Sequence, residues 1–134
     1  MQVLKSETLP LLADEQVVAV RQSVRNLAIS AGLSLVEQTK IITAASELAR
    51  NTIINGKGGH VVMELLQNGV RKGVRLTFED SGPGIRDIEQ AMTDGFTTNK
   101  GMGLGLGGAK RLCNEFSIES AVGQGTRISI ARWK

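Results

Sequence analysis

Apolar residues recur every three or four positions in two long segments of the first half of the chain. The first segment covers residues 14–31, and its spacing predicts a helix that Asp14 caps and Gly32 ends. Its apolar stripe is typical of a helix that packs on a core with one side and faces solvent with the other.

The second periodic segment covers residues 34–55 and predicts a longer helix. Ser34 and Glu37 stand at the spacing of a capping box, in which each side chain satisfies a backbone N–H at the helix start. Three glycines are then expected to end this helix: Gly56, Gly58 and Gly59.

Alternating apolar and polar residues predict strands in five further segments. Asn68-Gly69 is a hairpin signal between the second and third of them, and the polar residues up to Gly73 are expected to loosen that hairpin. The first segment is expected to be an edge strand before Pro10. The five segments are residues 3–9, 60–67, 74–79, 117–121 and 126–131.

Two more helices are predicted between the third and fourth strands. The first is short, residues 86–92, and the second covers residues 103–116 with Phe116 as its last apolar position. Hairpins and helix pairs outnumber βαβ units in the resulting order. We therefore expect an α/β two-layer fold in which a mixed, mostly antiparallel sheet carries helices on one face, within a single domain of residues 1–134.

Composition narrows the class of protein. The net charge of +3 is scattered, and three Phe, one Trp and no Tyr leave few platforms for stacking bases, so we expect no nucleic-acid partner. Cys113 is the only cysteine, which excludes an internal disulfide, and it is expected to be a small core residue. The absence of a signal peptide and of a long apolar run predicts a cytoplasmic protein that does not enter a membrane.

Candidate chemistry is concentrated between Asp80 and residue 108. Asp80 ends an apolar run, a Gly82-Pro83-Gly84 turn follows, and five glycines lie in residues 101–108. Glycines let backbone N–H groups approach phosphate oxygens closely. Asp80 would repel a phosphate, so we expect it to accept a hydrogen bond from a neutral donor such as an adenine amino group. The stretch predicts a nucleotide site.

Glu47 and Asn51 form a second candidate, because they lie one turn apart on the same face of the second helix. A carboxylate and an amide there can hold Mg²⁺ beside phosphate oxygens, and Glu47 can accept a proton from an attacking hydroxyl. On its own this pair is more simply interpreted as a solvated face. Other nucleotide motifs do not fit, since no P-loop is present and the polar residues 97–100 precede the glycines where a dinucleotide fold needs a strand.

Four segments together resemble the GHKL superfamily of ATPases and kinases. Residues 47–51, Glu-Leu-Ala-Arg-Asn, resemble its N box, and residues 80–85, Asp-Ser-Gly-Pro-Gly-Ile, its G1 box. Residues 101–106, Gly-Met-Gly-Leu-Gly-Leu, resemble its G2 box, and residues 123–126 its closing threonine motif. The segments occur in the family's order and span nearly the whole chain.

The resemblance implies the Bergerat ATP-binding fold and a Mg²⁺-ATP site. It assigns Glu47 as the general base, Asn51 as a Mg²⁺ ligand, Asp80 as the acceptor for the adenine amino group and Thr126 as its support. It assigns the remaining nucleotide contacts to Gly82, Gly84, Ile85, Lys100, Gly101, Gly103, Leu104, Gly105 and Leu106.

Within the superfamily, residues 96–98, 110–112 and 115–120 resemble the small bacterial serine/threonine kinases of partner-switching, stressosome-like pathways. This resemblance implies phosphorylation of a STAS-domain antagonist, followed by release and activation of a serine phosphatase by binding. Two alternatives share every ATP motif. One is an anti-sigma factor of the same fold that sequesters a sigma factor, and the other is a nucleotide-binding regulator without transfer activity.

Overall fold

A computed structural model describes residues 1–85, 87–92 and 105–134, and these residues form five strands and four helices in the predicted order. The elements are β1 (Gln2–Leu11), α1 (Glu15–Ser30), α2 (Leu35–Ile54), β2 (Gly59–Asn68), β3 (Arg71–Asp80), α3 (Ile88–Ala91), α4 (Gly105–Arg111), β4 (Glu115–Ser120) and β5 (Thr126–Trp133).

The strands form one sheet in the order β1-β2-β3-β5-β4. The prediction of a mostly antiparallel sheet is confirmed, and all four pairings among the described strands are antiparallel, so the parallel component of a mixed sheet is not found there. The β2–β3 hairpin is tighter than expected. Asn68 pairs with Arg71, which leaves Gly69 and Val70 as a two-residue turn, and Gly69 supplies the positive φ of 65° that such a turn requires.

The core lies between the sheet and the helices. Alternation along the strands places their largest apolar side chains on one face, where α1 and α2 cover them. Each such side chain contributes roughly 1.5–3 kcal/mol when it is fully buried. The fully buried residues include Val20, Val24, Ile41, Leu48, Val61, Met63, Val74, Leu76, Phe78 and Ile130. This packing fixes the end of β3 against the end of α2.

The capping predicted from the sequence is found at the start of α2 but not at the start of α1. At α2 the predicted capping box is confirmed, since the Glu37 N–H donates to Ser34 Oγ at 3.1 Å and the Ser34 N–H donates to Glu37 Oε1 at 2.9 Å. At α1 the expected cap is wrong, because the Asp14 side chain makes no capping hydrogen bond. The Gln16 side chain instead bonds back to the segment before the helix, where its Oε1 accepts from the Ala13 N–H at 2.9 Å.

Two boundaries were also predicted wrongly. The helix expected over residues 103–116 ends at Arg111, and Phe116 belongs to β4, where it pairs with Ile130. The first strand continues through Pro10, which an edge strand tolerates because the proline need not donate to a neighbour. Of the helices in the described residues, none combines the length and the apolar character needed to cross a membrane.

Candidate functional site

A row of polar residues closes the helix-facing side of the sheet at one end. Asp80 of β3 pairs with Thr126 of β5, and Thr126 pairs in turn with Ser120 of β4. Side chains directly opposite each other in antiparallel strands lie about 4.5–5.5 Å apart, so the three polar groups are neighbours. The next row on the same face is apolar: Phe78, Ile128 and Ile118. The sheet therefore changes from hydrophobic core to polar site within two residues of each strand.

Asp80 is held close to the end of α2. The Gly82 N–H donates to Asp80 Oδ1 at 2.9 Å. A Cβ atom on Gly56 would lie 2.4 Å from both Cγ and Oδ2 of Asp80, so only glycine leaves room for the carboxylate there. From the sequence, Gly56 was expected only to end the helix, and this contact was not predicted. The sequence did contain a hint of this contact, because three glycines follow α2 where one is enough to end a helix.

The turn after Asp80 packs against two other backbone segments. A Cβ on Gly82 would lie 2.6 Å from the carbonyl oxygen of Gly56. Gly84 has a φ of 78°, and its Cβ would lie 2.0 Å from the carbonyl oxygen of Ala121. The Gly123 N–H also donates to the Pro83 carbonyl at 2.8 Å. The two predicted glycines thus let the turn fit between the end of α2 and the β4–β5 turn.

Ser120 fastens the same region from the other side. The Ile85 N–H donates to Ser120 Oγ at 2.8 Å, and Ser120 Oγ donates to the Gly125 carbonyl at 2.9 Å. Ser120 Oγ also lies 2.8 Å from Thr126 Oγ1. From the sequence, Ser120 was expected within the strand of residues 117–121 and within the family-like segment 115–120, without a role at the site. The sequence contains a hint of this role. Ser120 follows Phe116 and Ile118 at every second residue, so it lies on the same face of the strand, but it is polar.

Glu47 and Asn51 lie on α2, and both are half-buried rather than fully solvated. Burial raises the pKa of the Glu47 carboxyl, and the nearby positive charge of Arg50 opposes that rise. The side-chain oxygen of Asn51 accepts from Asn55 Nδ2 at 2.5 Å. The backbone carbonyl of Asn51 accepts from the Gly56 N–H at 3.2 Å. One turn of helix therefore connects Asn51 to the glycine that packs against Asp80.

The donor set on α2 fits a magnesium ion that is held mainly by a ligand. Mg²⁺ commonly takes one or two protein oxygens and completes its shell with phosphates and water. Within residues 1–85, 87–92 and 105–134 there is no group of three or more His, Cys, Asp or Glu side chains that would bind a metal by itself. The Asn51 amide oxygen and the Glu47 carboxylate, one turn apart on α2, can supply the one or two protein oxygens that such a magnesium ion needs.

The predicted phosphate loop is only partly described. Lys100, Gly101, Gly103 and Leu104 lie outside the described residues. Gly105 begins α4 with a φ of 60°, and the Leu106 side chain is buried in the core. Any contact of Leu106 with a nucleotide would therefore come from its backbone.

A family of known proteins matches most of this chain. The HATPase_c family, described as the histidine kinase-, DNA gyrase B-, and HSP90-like ATPases, matches residues 36–134. The chain belongs to the HATPase_c family. Its membership implies that it binds ATP. The matched region contains every residue proposed for the site, from Glu47 to Thr126.

Individual relatives fall into two functional groups within HATPase_c. The serine/threonine-protein kinase RsbT of Bacillus subtilis is 43% identical over 123 residues, which are 92% of this chain and 92% of RsbT. The anti-sigma F factor of Clostridium novyi is 33% identical over 97 residues, which are 69% of this chain and 68% of that protein. The crystal structure of the RsbU and RsbW domains of Rv1364c from Mycobacterium tuberculosis shares the fold, with a TM-score of 0.64 and 21% identity, and the match covers 96% of this chain and 32% of that one.

Proposed function

We propose that this chain is a serine/threonine protein kinase of a bacterial partner-switching pathway. It transfers the γ-phosphoryl group of ATP to a Ser or Thr hydroxyl of a STAS-domain antagonist, and after release it activates a serine phosphatase by binding. The identity of 43% to RsbT supports this class of reaction. The observation that carries the proposal is that Glu47, whose carboxyl pKa is raised by burial, lies one turn before Asn51 on the helix whose end packs against Asp80.

The polar row of Asp80 and Thr126 is the proposed adenine end of the site. A carboxylate that accepts a hydrogen bond from an amino group forms a charge-assisted bond, which is stronger than a neutral one. Gly82 and Gly84 shape the turn beside it, and Ile85 fixes that turn through its N–H bond to Ser120 at 2.8 Å. The base would thus be recognised by groups that the sheet already holds in place.

The phosphate end is assigned to Asn51 and to the glycine-rich segment. Asn51 would hold Mg²⁺ through its amide oxygen, and the ion, when bound, neutralises charge on the phosphate oxygens. The residues proposed to contact the phosphates are Lys100, Gly101, Gly103, Leu104, Gly105 and Leu106. Their backbone N–H groups are the donors that such a contact would use.

Glu47 is the proposed general base. In the transfer, the acceptor hydroxyl oxygen forms a bond to the γ-phosphorus, the bond between that phosphorus and the β–γ bridging oxygen breaks, and ADP leaves. The hydroxyl proton passes to the Glu47 carboxylate. Burial raises the pKa of Glu47, and a more basic carboxylate is a better proton acceptor at neutral pH as long as it stays ionised.

The test is single-turnover transfer of labelled phosphate to a STAS-domain protein by Glu47→Gln with nucleotide saturating. General-base catalysis typically contributes about 10²–10⁴-fold, and late proton removal in a loose transition state places the effect toward the lower end. We expect slowed transfer with normal folding and near-normal ATP affinity. Glu7→Gln is the matched control, because Glu7 is an exposed carboxylate on β1. Equal rates in Glu47→Gln and the parent would exclude Glu47 as the base.

The pH dependence of the same reaction offers a second readout. A base must be ionised, and burial raises the pKa of Glu47 above the usual value of a glutamate. The transfer rate should therefore begin to fall at a higher pH than an exposed carboxylate would produce. The raised pKa of Glu47 also affects the stability of the folded protein. Because the folded pKa is raised, the ionised group destabilises the fold at neutral pH, and Glu47→Gln should be at least as stable as the parent at pH 7.

An anti-sigma factor is the second candidate function, and the similarity to anti-sigma F factors favours it. A pull-down that offers purified STAS-domain protein and purified sigma factor separates the two. Tight binding of a sigma factor, with no transfer to any STAS-domain protein, would favour the second candidate. A regulator without transfer activity would bind ATP and show neither result.

A further inference from the structure

The Ser120 hydroxyl meets three partners at the polar end of the sheet. It lies 2.8 Å from the Ile85 nitrogen, 2.9 Å from the Gly125 carbonyl oxygen and 2.8 Å from Thr126 Oγ1. Two of these partners have only one possible role, since a backbone N–H donates and a carbonyl accepts. They decide the direction of the third bond.

A serine hydroxyl carries one proton and two lone pairs. The Ile85 N–H uses one lone pair, and the bond to the Gly125 carbonyl uses the only proton. The remaining contact is therefore made when Thr126 Oγ1 donates its own proton to Ser120 Oγ. Thr126 is left with lone pairs, and no proton, for any group on its other side.

The groups next to Thr126 also leave only hydrogen-bond acceptors for a ligand. Asp80 is directly opposite Thr126 and accepts hydrogen bonds as a carboxylate. The Gly82 N–H, the donor beside it, is already used by Asp80 Oδ1 at 2.9 Å. The pair of Asp80 and Thr126 therefore presents acceptors to a ligand.

We infer that Ser120 is a positioning residue for base specificity. By holding Thr126 as an acceptor, it makes this end of the site select a purine with an amino group and reject one with a keto oxygen at the same position. A site built to accept hydrogen bonds discriminates strongly because a keto oxygen would leave its acceptors unpaired. The inference rests on the proposed function, since it requires the base to lie against Asp80.

The test measures dissociation constants for Mg-ATP and Mg-ITP by calorimetry, because inosine triphosphate carries a keto oxygen in place of the adenine amino group. Removing the Ser120 hydroxyl frees the Thr126 proton to donate to that oxygen. In Ser120→Ala we expect the preference for ATP over ITP to fall by about 2- to 10-fold, the range of one neutral hydrogen bond. Ser120→Thr keeps a hydroxyl and should retain the parent preference.

A matched control separates specificity from general loosening of the turn. Gly123 has a φ of 78°, and a Cβ there would meet no heavy atom within 4 Å. Gly123→Ala therefore strains the same β4–β5 turn without changing any donor or acceptor at Thr126. It should weaken both nucleotides equally, if at all, and leave their ratio unchanged.

The outcomes are distinct. A parent that binds ATP and ITP equally would show that Asp80 does not recognise the adenine amino group, which refutes that part of the proposed function as well. A parent preference that Ser120→Ala retains would overturn the role of Ser120 alone. If Ser120→Ala does not fold, the hydroxyl protons of the parent can be followed by NMR. A slowly exchanging Thr126 proton close to Ser120 supports the inference, and a Ser120 proton directed at Thr126 overturns it.

Discussion

Replacing Gly56 with alanine tests whether the Asp80 carboxylate holds the nucleotide. The new Cβ would lie 2.4 Å from Cγ and Oδ2 of Asp80, whereas ordinary contacts begin at 3.4 Å, so the carboxylate must move by about 1 Å. A hydrogen bond of about 2.9 Å then becomes too long to count as one. Loss of a hydrogen bond to a charged group costs about 1.5–3 kcal/mol, which is about 10- to 150-fold in affinity.

Calorimetric titration with Mg-ATP measures that loss, and thermal unfolding shows whether the fold survives. Gly69→Ala is the control with the opposite expectation. Gly69 has a φ of 65° and nothing within 4 Å of its Cβ position, so alanine there costs about 1–2 kcal/mol of stability and leaves ATP affinity unchanged. If Gly56→Ala bound Mg-ATP as tightly as the parent, the position of Asp80 would not matter for binding, and the adenine assignment would be wrong.

Three further outcomes are expected. Asp80→Asn should lose about 10- to 150-fold in ATP affinity while the fold survives, because asparagine keeps the oxygen that accepts from Gly82; calorimetry with unchanged affinity would contradict this. Asn51→Ala should weaken Mg-ATP more than metal-free ATP, and an equal loss in both titrations would instead indicate a structural role. The Cys113 thiol should resist alkylation at pH 8 in the folded protein, because burial raises its pKa from 9.0 to about 12 and lowers the thiolate fraction by about 10³-fold; labelling as fast as in urea would refute this. By the same shift, the stability that the half-buried thiol contributes is present below pH 9 and lost as the pH rises toward 12.

The architecture could be predicted because its signals are local and periodic. The capping box at Ser34, the helical stripe that follows it and the alternation in β2, β3 and β5 each specify one element without reference to the others. The errors fell where two patterns compete. Phe116 fits the helical spacing of α4 and also the alternation of β4, and its pairing with Ile130 decides between them. Likewise, Asp14 has the right chemistry for a cap, but its side chain makes no capping bond, and the side-chain bond at this helix start runs from the Ala13 N–H to Gln16.

Candidate site residues could be proposed from the sequence where side-chain chemistry is specific, and their roles stay predictions. Asp80, Glu47 and Asn51 carry groups whose type and spacing indicate a possible function. Gly56 and Ser120 were missed for a different reason, because each acts on a neighbour that is distant in the sequence. Gly56 matters only once α2 ends beside β3, and Ser120 only once β4 pairs with β5. Such roles depend on tertiary contacts that no local pattern encodes.

Gly56 and Ser120 also show how residues of the sheet and residues of helix α2 can belong to one candidate site. The proposed adenine end is part of the sheet, where Ser120 and Thr126 are fixed by strand pairing. The proposed catalytic end is on α2, where Glu47 and Asn51 are fixed by the helix. The two ends approach each other closely at Gly56, which packs against both Asp80 and Gly82 and whose N–H is bonded to the Asn51 carbonyl. A shift of α2 would therefore move the proposed metal ligand Asn51 and the proposed base-binding carboxylate of Asp80 together, so substitutions at Gly56 and Asn51 should not be additive in their effect on ATP affinity.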